Sequence, residues 1–483
     1  DLKGKKVMVE YTDPNPFKEF HIGHLMSNAI GESIARVFEY QGAKVIRACW
    51  QGDVGRHVAK ALAGYTVPMF EQEFVEYEKF GAPLQKKAHL LGQMYAYGDM
   101  NDRPKEEGGI REMIDYLNKA IYSGNLNDQQ KYVYDNGRKW SLDHFEEIYK
   151  VLGTKFDYYF FEGKEGREGQ PLVKEALKKG IFETGEGGAI VYKGEKKGLH
   201  TRVFINSQGL PTYEAKELGL NKAKFEKEPN IETSIIITAN EQSDYFKVVL
   251  AAMAEVLPEI ARRTKHLAHG MLRMTTGKMS SRKGNVITGE GLIAQVKELV
   301  MEKIKEPASA QSSGEARREM SDVEKETLAE IVAIGAIKYS ILRQAIGGDI
   351  IFDFEKSISF EGDSGPYLQY SYVRAKSVLA KAKSLKVQPW DGKKVELWET
   401  TVLEKLLVRF PEVVERAGNE YQPHYITTYL TELAGVFNSW YAGGKIVDAE
   451  DPASPYKIAL TEAFAITMKN GLWLLGIKVP ERM

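Results

Sequence analysis

A strand, a turn, a helix and a second strand within the first fifty residues limit this chain's fold more than any other stretch. Val7-Met-Val-Glu-Tyr11 is a short apolar run between lysine-rich and proline-rich punctuation, which predicts a strand. Beyond the turn, Met26, Ile30, Ile34, Val37 and Phe38 recur at spacings of four and three, the period of a helix with one buried face. Gly42 closes that helix, and Val45-Ile-Arg-Ala-Cys49 supplies the second strand. Such a unit folds most readily as a right-handed crossover onto a parallel sheet.

The turn itself is Pro16-Phe-Lys-Glu-Phe-His-Ile-Gly-His24. A helix starting near Gly23 has unpaired backbone N–H groups and a positive dipole end, which favour an anion. His21 and His24 stand three residues apart, so both imidazoles can face one side of the first turn and donate to phosphate oxygens. Gly23 has no Cβ, so a flat ring can lie against the backbone there. Taken alone, the motif fits two partly exposed histidines with no ligand even more readily.

With 483 residues, two or three domains are expected. A hydrophobic fraction of 43% and a charged fraction of 28% describe a soluble globular chain, and a net charge of −1 confines any nucleic-acid contact to local patches. The single cysteine, Cys49, excludes an internal disulfide framework and fits a reducing compartment. No apolar run approaches membrane-span length and the first residues carry no apolar signal core, so a cytoplasmic location is expected.

Gln51-Gly-Asp-Val-Gly55 follows the second strand as a Gly-rich loop at a strand's carboxyl end, where open α/β sheets place ligands. Residues 70–150 read as polar helices crossing one face of the sheet. Residues 153–205, including Phe156-Asp-Tyr-Tyr-Phe-Phe161 and the turn Gly185-Glu-Gly-Gly188, read as short strands of an insertion. Pro211-Thr-Tyr213 leads into another helix, and Ser234-Ile-Ile-Ile-Thr238 is a buried strand by its unbroken run. Residues 305–326 form a polar connector. From Leu328 onward, apolar stripes such as Tyr429, Leu430, Leu433, Phe437 and Trp440 predict a helical bundle.

A second motif, Lys278-Met-Ser-Ser-Arg-Lys-Gly-Asn285, follows the strand-like His269-Gly-Met-Leu-Arg273. Its lysines supply point charges, and its hydroxyl and backbone donors fix geometry, as a loop around polyphosphate requires. Alone, such a loop is more often a solvated turn. Together the H-I-G-H and K-M-S-S-R-K-G resemble the paired signatures of class I aminoacyl-tRNA synthetases. Val9-Glu-Tyr-Thr-Asp-Pro-Asn15, Ser364-Gly-Pro-Tyr-Leu-Gln-Tyr370 with Arg374, and the closing Leu474-Leu-Gly-Ile-Lys-Val-Pro-Glu-Arg-Met483 resemble the arginyl branch of that class over nearly the whole chain.

The resemblance implies a Rossmann-type, doubly wound parallel α/β catalytic domain at 1–290, with an insertion at about 64–210. It further implies a stem-contacting helical region at 291–345 and an all-α anticodon-binding domain at 346–483. The implied reaction joins L-arginine and ATP into arginyl-adenylate, then transfers arginine to the 2′-hydroxyl of the terminal ribose of tRNA(Arg). The substrate carboxylate is the nucleophile, so catalysis is positioning plus charge neutralisation. His21, His24, Lys278 and Lys283 are the implied catalytic residues; Gly23, Gly270, Met271, Ser280 and Ser281 join them around ATP. Mg²⁺ takes its shell from phosphate and water, with no protein ligand assigned.

Glu10, Glu162 and Glu217, with Tyr213, match the positions that recognise the guanidinium, and Asn15 and Gln242 those that hold the α-amino end. Each carboxylate alone fits a surface ion pair equally well. Glu217 departs from the family's usual aspartate, Gly163 from its usual serine, and Ser243-Asp-Tyr245 from its usual D-L-H. Tyr367, Gln369, Tyr370, Arg374, Tyr441 and Met483 fall at tRNA-contacting positions, where aromatics and arginine suit loop bases. Several of those tyrosines fit a bundle core as well. A monomer is expected, and the extra N-terminal domain common in this family is expected to be absent or removed, since the chain starts at the first strand. Two rivals stand beside this reading: a class I enzyme for lysine, and a non-catalytic tRNA-binding paralogue.

Overall fold

Val7, Met8 and Val9 are buried on both faces of a sheet, and this fixes the first strand where the apolar run predicts it. In this computed structural model, residues 2–274, 288–305, 320–392 and 400–483 are described. In chain order, strand β1 (Lys6–Glu10) leads into helix α1 (Ile22–Tyr40) and strand β2 (Lys44–Gln51). Five helices follow: α2 (Arg56–Gly64), α3 (Pro68–Phe80), α4 (Leu84–Met100), α5 (Arg111–Ser123) and α6 (Asp128–Leu152). Next come β3 (Tyr158–Phe161), α7 (Gly169–Lys178), β4 (Glu183–Thr184), β5 (Ile190–Tyr192), β6 (Arg202–Ile205) and α8 (Tyr213–Lys227). Then β7 (Thr233–Ala239), α9 (Ser243–Val256), α10 (Pro258–Arg263), β8 (Thr264–His269) and β9 (Leu272–Met274) complete the first part. The remainder is α11 (Gly289–Lys305), α12 (Asp322–Leu342), β10 (Ile350–Phe352), α13 (Phe354–Ser357), α14 (Gly365–Ser384), α15 (Val402–Asn419), α16 (His424–Ala442) and α17 (Ser454–Leu474).

The chain divides into two compact units, Lys5–Asn28 with Val45–Ala268, and Asp1–Gly4 with Ala29–Lys44 and His269–Met483. The first holds a five-stranded sheet in the order β3-β2-β1-β7-β8. β1 runs parallel to β7 with Met8 opposite Ser234 and Glu10 opposite Ile236, and β2 runs parallel to β3. The order reverses at β1, so the crevice for a ligand lies beyond the carboxyl ends of β1 and β7. Ile235, Ile236 and Ile237 are buried, as the unbroken run of β7 requires.

Three expectations need correction. The run Phe156–Phe161 is not part of a hairpin insertion: β3 is the edge strand of the main sheet, in register with Ala48–Gln51 of β2. Only β4, β5 and β6 form the separate antiparallel sheet. The helices between 56 and 152 do not simply cover the sheet. They close around a core of their own that includes Val58, Leu62, Phe74, Leu91, Met94, Leu117 and Trp140. The polar connector also ends sooner than read, because Ser321 and Glu324 form a reciprocal cap and α12 starts at Asp322.

In the second unit, α14 to α17 form the helical bundle, with Leu430, Leu433, Phe437 and Phe464 buried between them. The end of the chain is bracketed by side chains. Leu474 carbonyl accepts Ser33 Oγ at 2.9 Å, Lys478 carbonyl accepts Gln369 Nε2 at 2.7 Å, and Gly476 carbonyl accepts Lys338 Nζ at 2.8 Å. Lys338 is fully buried in α12, and burial, reinforced by Arg36, pushes its ammonium down to about 7. An unfolded lysine keeps its proton to far higher pH, so between about 7 and 10 the unfolded chain binds more protons than the folded one. Stability of this unit therefore rises with pH across that window, by up to about 1.4 kcal/mol per pH unit from this group. Lys338→Met removes that increment, and urea midpoints at pH 7 and pH 9 for both proteins measure it.

Candidate active site

The turn after β1 is held in an uncommon backbone conformation by hydrogen bonds to α1, α6 and β2. Thr12, Asp13 and Phe17 all have positive φ, at 80°, 48° and 67°. Ser27 Oγ accepts Thr12 N–H at 2.9 Å, Ser141 Oγ accepts Phe17 N–H at 3.0 Å, and Asp13 Oδ1 accepts Trp50 N–H at 2.7 Å. Asn28 donates to Thr12 Oγ1 at 3.0 Å and accepts from Thr154 at 3.2 Å. Non-glycine residues stay at such φ values only where their surroundings over-determine them.

At the head of α1, the His21 and His24 rings stack 3.6 Å apart at 22°. His21 Nδ1 accepts Gly23 N–H at 3.1 Å and His24 Nδ1 accepts His21 N–H at 3.2 Å, so each ring carries its proton on Nε2. Burial, and after it Lys18, pushes His21 down to about 4; burial and the neighbouring His21 hold His24 well below the usual histidine range. Both are neutral at physiological pH. They therefore offer Nε2–H hydrogen bonds to an anion, the donor arrangement that the spacing predicts. The flat ring lying against Gly23 is His21's own: a Cβ on Gly23 would stand 2.9 Å from its Cε1.

Beyond β2, the Gly-rich loop is tied to β3 and α6. Asn15 Oδ1 accepts Gly52 N–H at 3.1 Å, and His57 Nε2 meets Gly52 carbonyl at 2.7 Å. A Cβ on Gly52 would stand 2.3 Å from Asn15 Oδ1 and 3.1 Å from Glu162 Oε1, so only glycine lets these two side chains converge here. Asp53 accepts Gly163 N–H at 2.8 Å and pairs with Arg138 at 3.0 Å, while Arg138 lies 4.2 Å over the Phe161 ring. A serine at 163 would bring its Cβ within 3.0 Å of Asp53 and Val54, so glycine here gives Asp53 its position.

Helix α8 brings the remaining groups. It packs so closely on the 165–169 turn that a Cβ on Gly169 would stand 1.7 Å from Ala215 carbonyl. Lys216, Glu217 and Lys224 are buried as a result. Lys216 Nζ donates to Glu162 Oε2 at 2.6 Å, with both side chains 5% exposed or less. Lys224 Nζ stands 2.5 Å from Glu10 Oε2 as an ion pair, not an aligned hydrogen bond, and neither atom has a hydrogen-bond partner among the described residues. Glu217 Oε2 is likewise buried without one. Burial first, then Glu10, pushes Glu217 up to about 8. Burial also raises Glu162, against the pull of Lys216. Glu217 interacts electrostatically with Glu10 and Glu162, and each of those two carries its own lysine; neither Lys216 nor Lys224 was singled out in the sequence. Tyr213, at the start of α8, is exposed, with the Lys216 ammonium 4.9 Å from its ring; Gln242 is exposed in the turn after β7.

Gly270 and Met271 lie in the other unit. A Cβ on Gly270 would stand 2.1 Å from Gly348 carbonyl, and Met271 N–H donates to Asp349 at 2.9 Å. Lys278, Ser280, Ser281 and Lys283 lie outside the described residues. In the helical bundle, Tyr367, Tyr370, Arg374 and Tyr441 gather around Asn438, which sequence reading missed. Asn438 accepts Arg374 at 2.6 Å and donates to Tyr367 Oη at 3.0 Å, and Arg374 lies 4.7 Å over Tyr370 and 5.0 Å over Tyr441. Tyr441 is 40% exposed, so it is not bundle core. Gln369 does not join them. It is fully buried and donates to Ile331 carbonyl as well as to Lys478, so it braces the bundle and is not placed to touch RNA. Met483 is half-buried at the chain end.

Residues 2–354 match the family described as tRNA synthetases class I (R), catalytic domain, and residues 368–483 match the DALR anticodon binding domain. The arginine–tRNA ligase of Bdellovibrio bacteriovorus is 32% identical, covering 100% of this chain and 80% of its own length. That of Treponema denticola is 29% identical with the same coverage. The solved arginyl-tRNA synthetase of Thermus thermophilus has the same fold, with a TM-score of 0.77 at 24% identity over 100% of this chain and 83% of that one.

Proposed function

The chain belongs to the arginyl-tRNA synthetases of class I, and we propose that it recognises arginine through Glu10, Glu162 and Glu217 and holds ATP at the histidine turn. The reaction is arginine–tRNA ligation: ATP activates arginine, and arginine passes to tRNA. What supports the assignment of residues is that Glu10 of β1, Glu162 just after β3 and Glu217 of α8 are all buried in one unit and interact electrostatically, with Glu162 and Asn15 converging at Gly52.

A guanidinium has a permanent charge and five donors in one plane, so acceptor-only carboxylates from several directions suit it. Asn15, fixed by Gly52, holds the α-amino end together with Gln242, and Tyr213 covers the side chain. The substrate carboxylate attacks the α-phosphorus, pyrophosphate leaves, and no side chain has to act as a strong base. His21 and His24 donate Nε2–H bonds that strengthen as charge grows on the phosphate oxygens. Lys278, Lys283, Ser280 and Ser281, with Gly270 and Met271, keep the triphosphate roles that the family resemblance gives them. Mg²⁺ would arrive with ATP and take its shell from phosphate and water.

Residues 1–290 are assigned to the chemistry, 291–345 to the tRNA stem and 346–483 to the anticodon. Tyr367, Tyr370, Arg374 and Tyr441 stack and pair with single-stranded loop bases, held in place by Asn438. The enzyme acts as a cytoplasmic monomer and activates arginine only with tRNA present. Pyrophosphate exchange with and without tRNA(Arg), run with arginine and with lysine, tests this reading. Exchange is expected with arginine plus tRNA alone; exchange with lysine in its place would overturn the assignment.

A further inference from the structure

The charges inside the arginine pocket do not balance. Glu10, Glu162 and Glu217 interact there, with Asp13 beside them, and among the described residues two cations, Lys216 and Lys224, stand against them. Each ammonium is already spent on one carboxylate: Lys216 on Glu162 at 2.6 Å and Lys224 on Glu10 at 2.5 Å. Glu217 lies between the two lysines in sequence and forms a salt bridge with neither, although Lys224 attracts it from a distance. The groups that face it are mostly acids. Glu10 faces it from the end of β1, with Asp13 beyond, Glu162 from the end of β3, Glu214 and Lys224 from its own helix, and the Tyr245 phenol from α9.

We propose that Glu217 is the residue that couples arginine recognition to a proton: protonated in the empty pocket, it gives that proton to solvent when the substrate guanidinium arrives. The balance is simple. A neutral carboxylic acid and a guanidinium cation become a carboxylate–guanidinium pair, one O–H bond breaks, and one proton leaves to water. This inference rests on the reading of the three carboxylates as the arginine pocket.

Two physical facts drive it. Four carboxylates crowded out of water, Asp13 included, cannot all stay ionised beside two cations; Asp13 accepts the Trp50 N–H, which favours its charged form, so the proton goes to Glu217, whose buried Oε2 has no donor among the described residues. A guanidinium is all donors and cannot lose its charge, so an acid O–H pointing at it is a donor facing a donor. Substrate binding supplies the missing cation and removes the reason for the proton at once. The buried Oε2 of Glu217, without a partner among the described residues, is the acceptor kept for that purpose. Burial and Glu10 place the switch near pH 8, so at neutral pH most empty pockets carry the proton.

Steady-state charging with saturating ATP and tRNA, read as KM for arginine from pH 6 to 9, tests the proposal on the full chain. KM is expected to fall about tenfold per pH unit at the acid end and to level off above pH 8. Glu217→Gln keeps the shape and loses the titration: its KM is raised at pH 9 and its profile is flat. Glu217→Asp keeps a carboxylate and restores the slope, which a merely structural role would not do. Calorimetry of arginine binding at pH 7, in two buffers of different ionisation enthalpy, should give close to one proton released per arginine for the wild-type chain and none for Glu217→Gln. A flat wild-type profile with normal charging, or an unchanged slope in Glu217→Gln, overturns this inference and leaves the pocket assignment standing. No charging with arginine at any pH overturns both.

Discussion

Glu162→Gln lowers kcat/KM for arginine by roughly 10²–10³-fold and leaves KM for ATP within about twofold, because the substitution does two things to the same pocket. In the proposed pocket it removes one acceptor from the guanidinium, a charged hydrogen bond of about 1.5–3 kcal/mol. It also strips Lys216 of its counter-charge, with the ammonium 5% exposed beside the carboxylate proposed to receive the substrate cation. An unneutralised cation facing an incoming one is repulsive in a medium that screens poorly. The loss is therefore larger than a missing hydrogen bond alone would give. Initial rates of tRNA charging with each substrate varied in turn separate the two constants. A similar rise in KM for ATP would mean that Glu162 belongs to the nucleotide site or to the scaffold.

The lysine partners explain what the sequence could and could not disclose. β1, α1 and β2 are readable because alternation and helical period are local properties, fixed by which face of each element must leave water. β3 was assigned to the wrong sheet because four aromatic residues predict a strand but not its neighbour; pairing with β2 is a contact across more than a hundred residues. α8 is the deeper failure. Tyr213–Lys227 is rich in Glu and Lys, and such a helix is ordinarily solvated. Here Lys216 and Lys224 are buried because their opposite charges come from Glu162 after β3 and Glu10 of β1, far away in the chain, and Glu217 is buried between them. Gln369 failed in the same way, since nothing in its neighbours says that its amide braces the carbonyls of α12 and the chain end. The histidine turn was readable as an anion site, but its charge state depends on burial and on two backbone N–H bonds that spacing does not reveal. The carboxylates were singled out by resemblance, and the lysines paired with Glu162 and Glu10 by structure alone.

Lys224→Met is expected to destabilise the chain by about 3–5 kcal/mol, the cost of leaving a buried charge without its partner. Glu10 is 1% exposed, and without the ammonium its near neighbours are the acids Asp13 and Glu217. The pH dependence follows from the sign. A carboxylate stranded in this place has a folded-state pKa above its unfolded value, so protonation favours the folded chain. The deficit of Lys224→Met should then shrink as the solution is acidified and grow as pH rises through the folded pKa. Adding Glu10→Gln to Lys224→Met removes the stranded charge, and the double variant should recover stability to within about 1 kcal/mol of wild type, since a neutral pair of similar volume carries little desolvation cost. It should not recover arginine charging, because the guanidinium has lost one of its three carboxylates. Urea unfolding of the two single variants and the double variant at pH 6 and pH 8, beside charging rates, distinguishes the possibilities. Loss of stability in the double variant equal to the sum of the singles would mean that Glu10 and Lys224 act independently, and the ion pair between β1 and α8 would not be what holds this side of the pocket together.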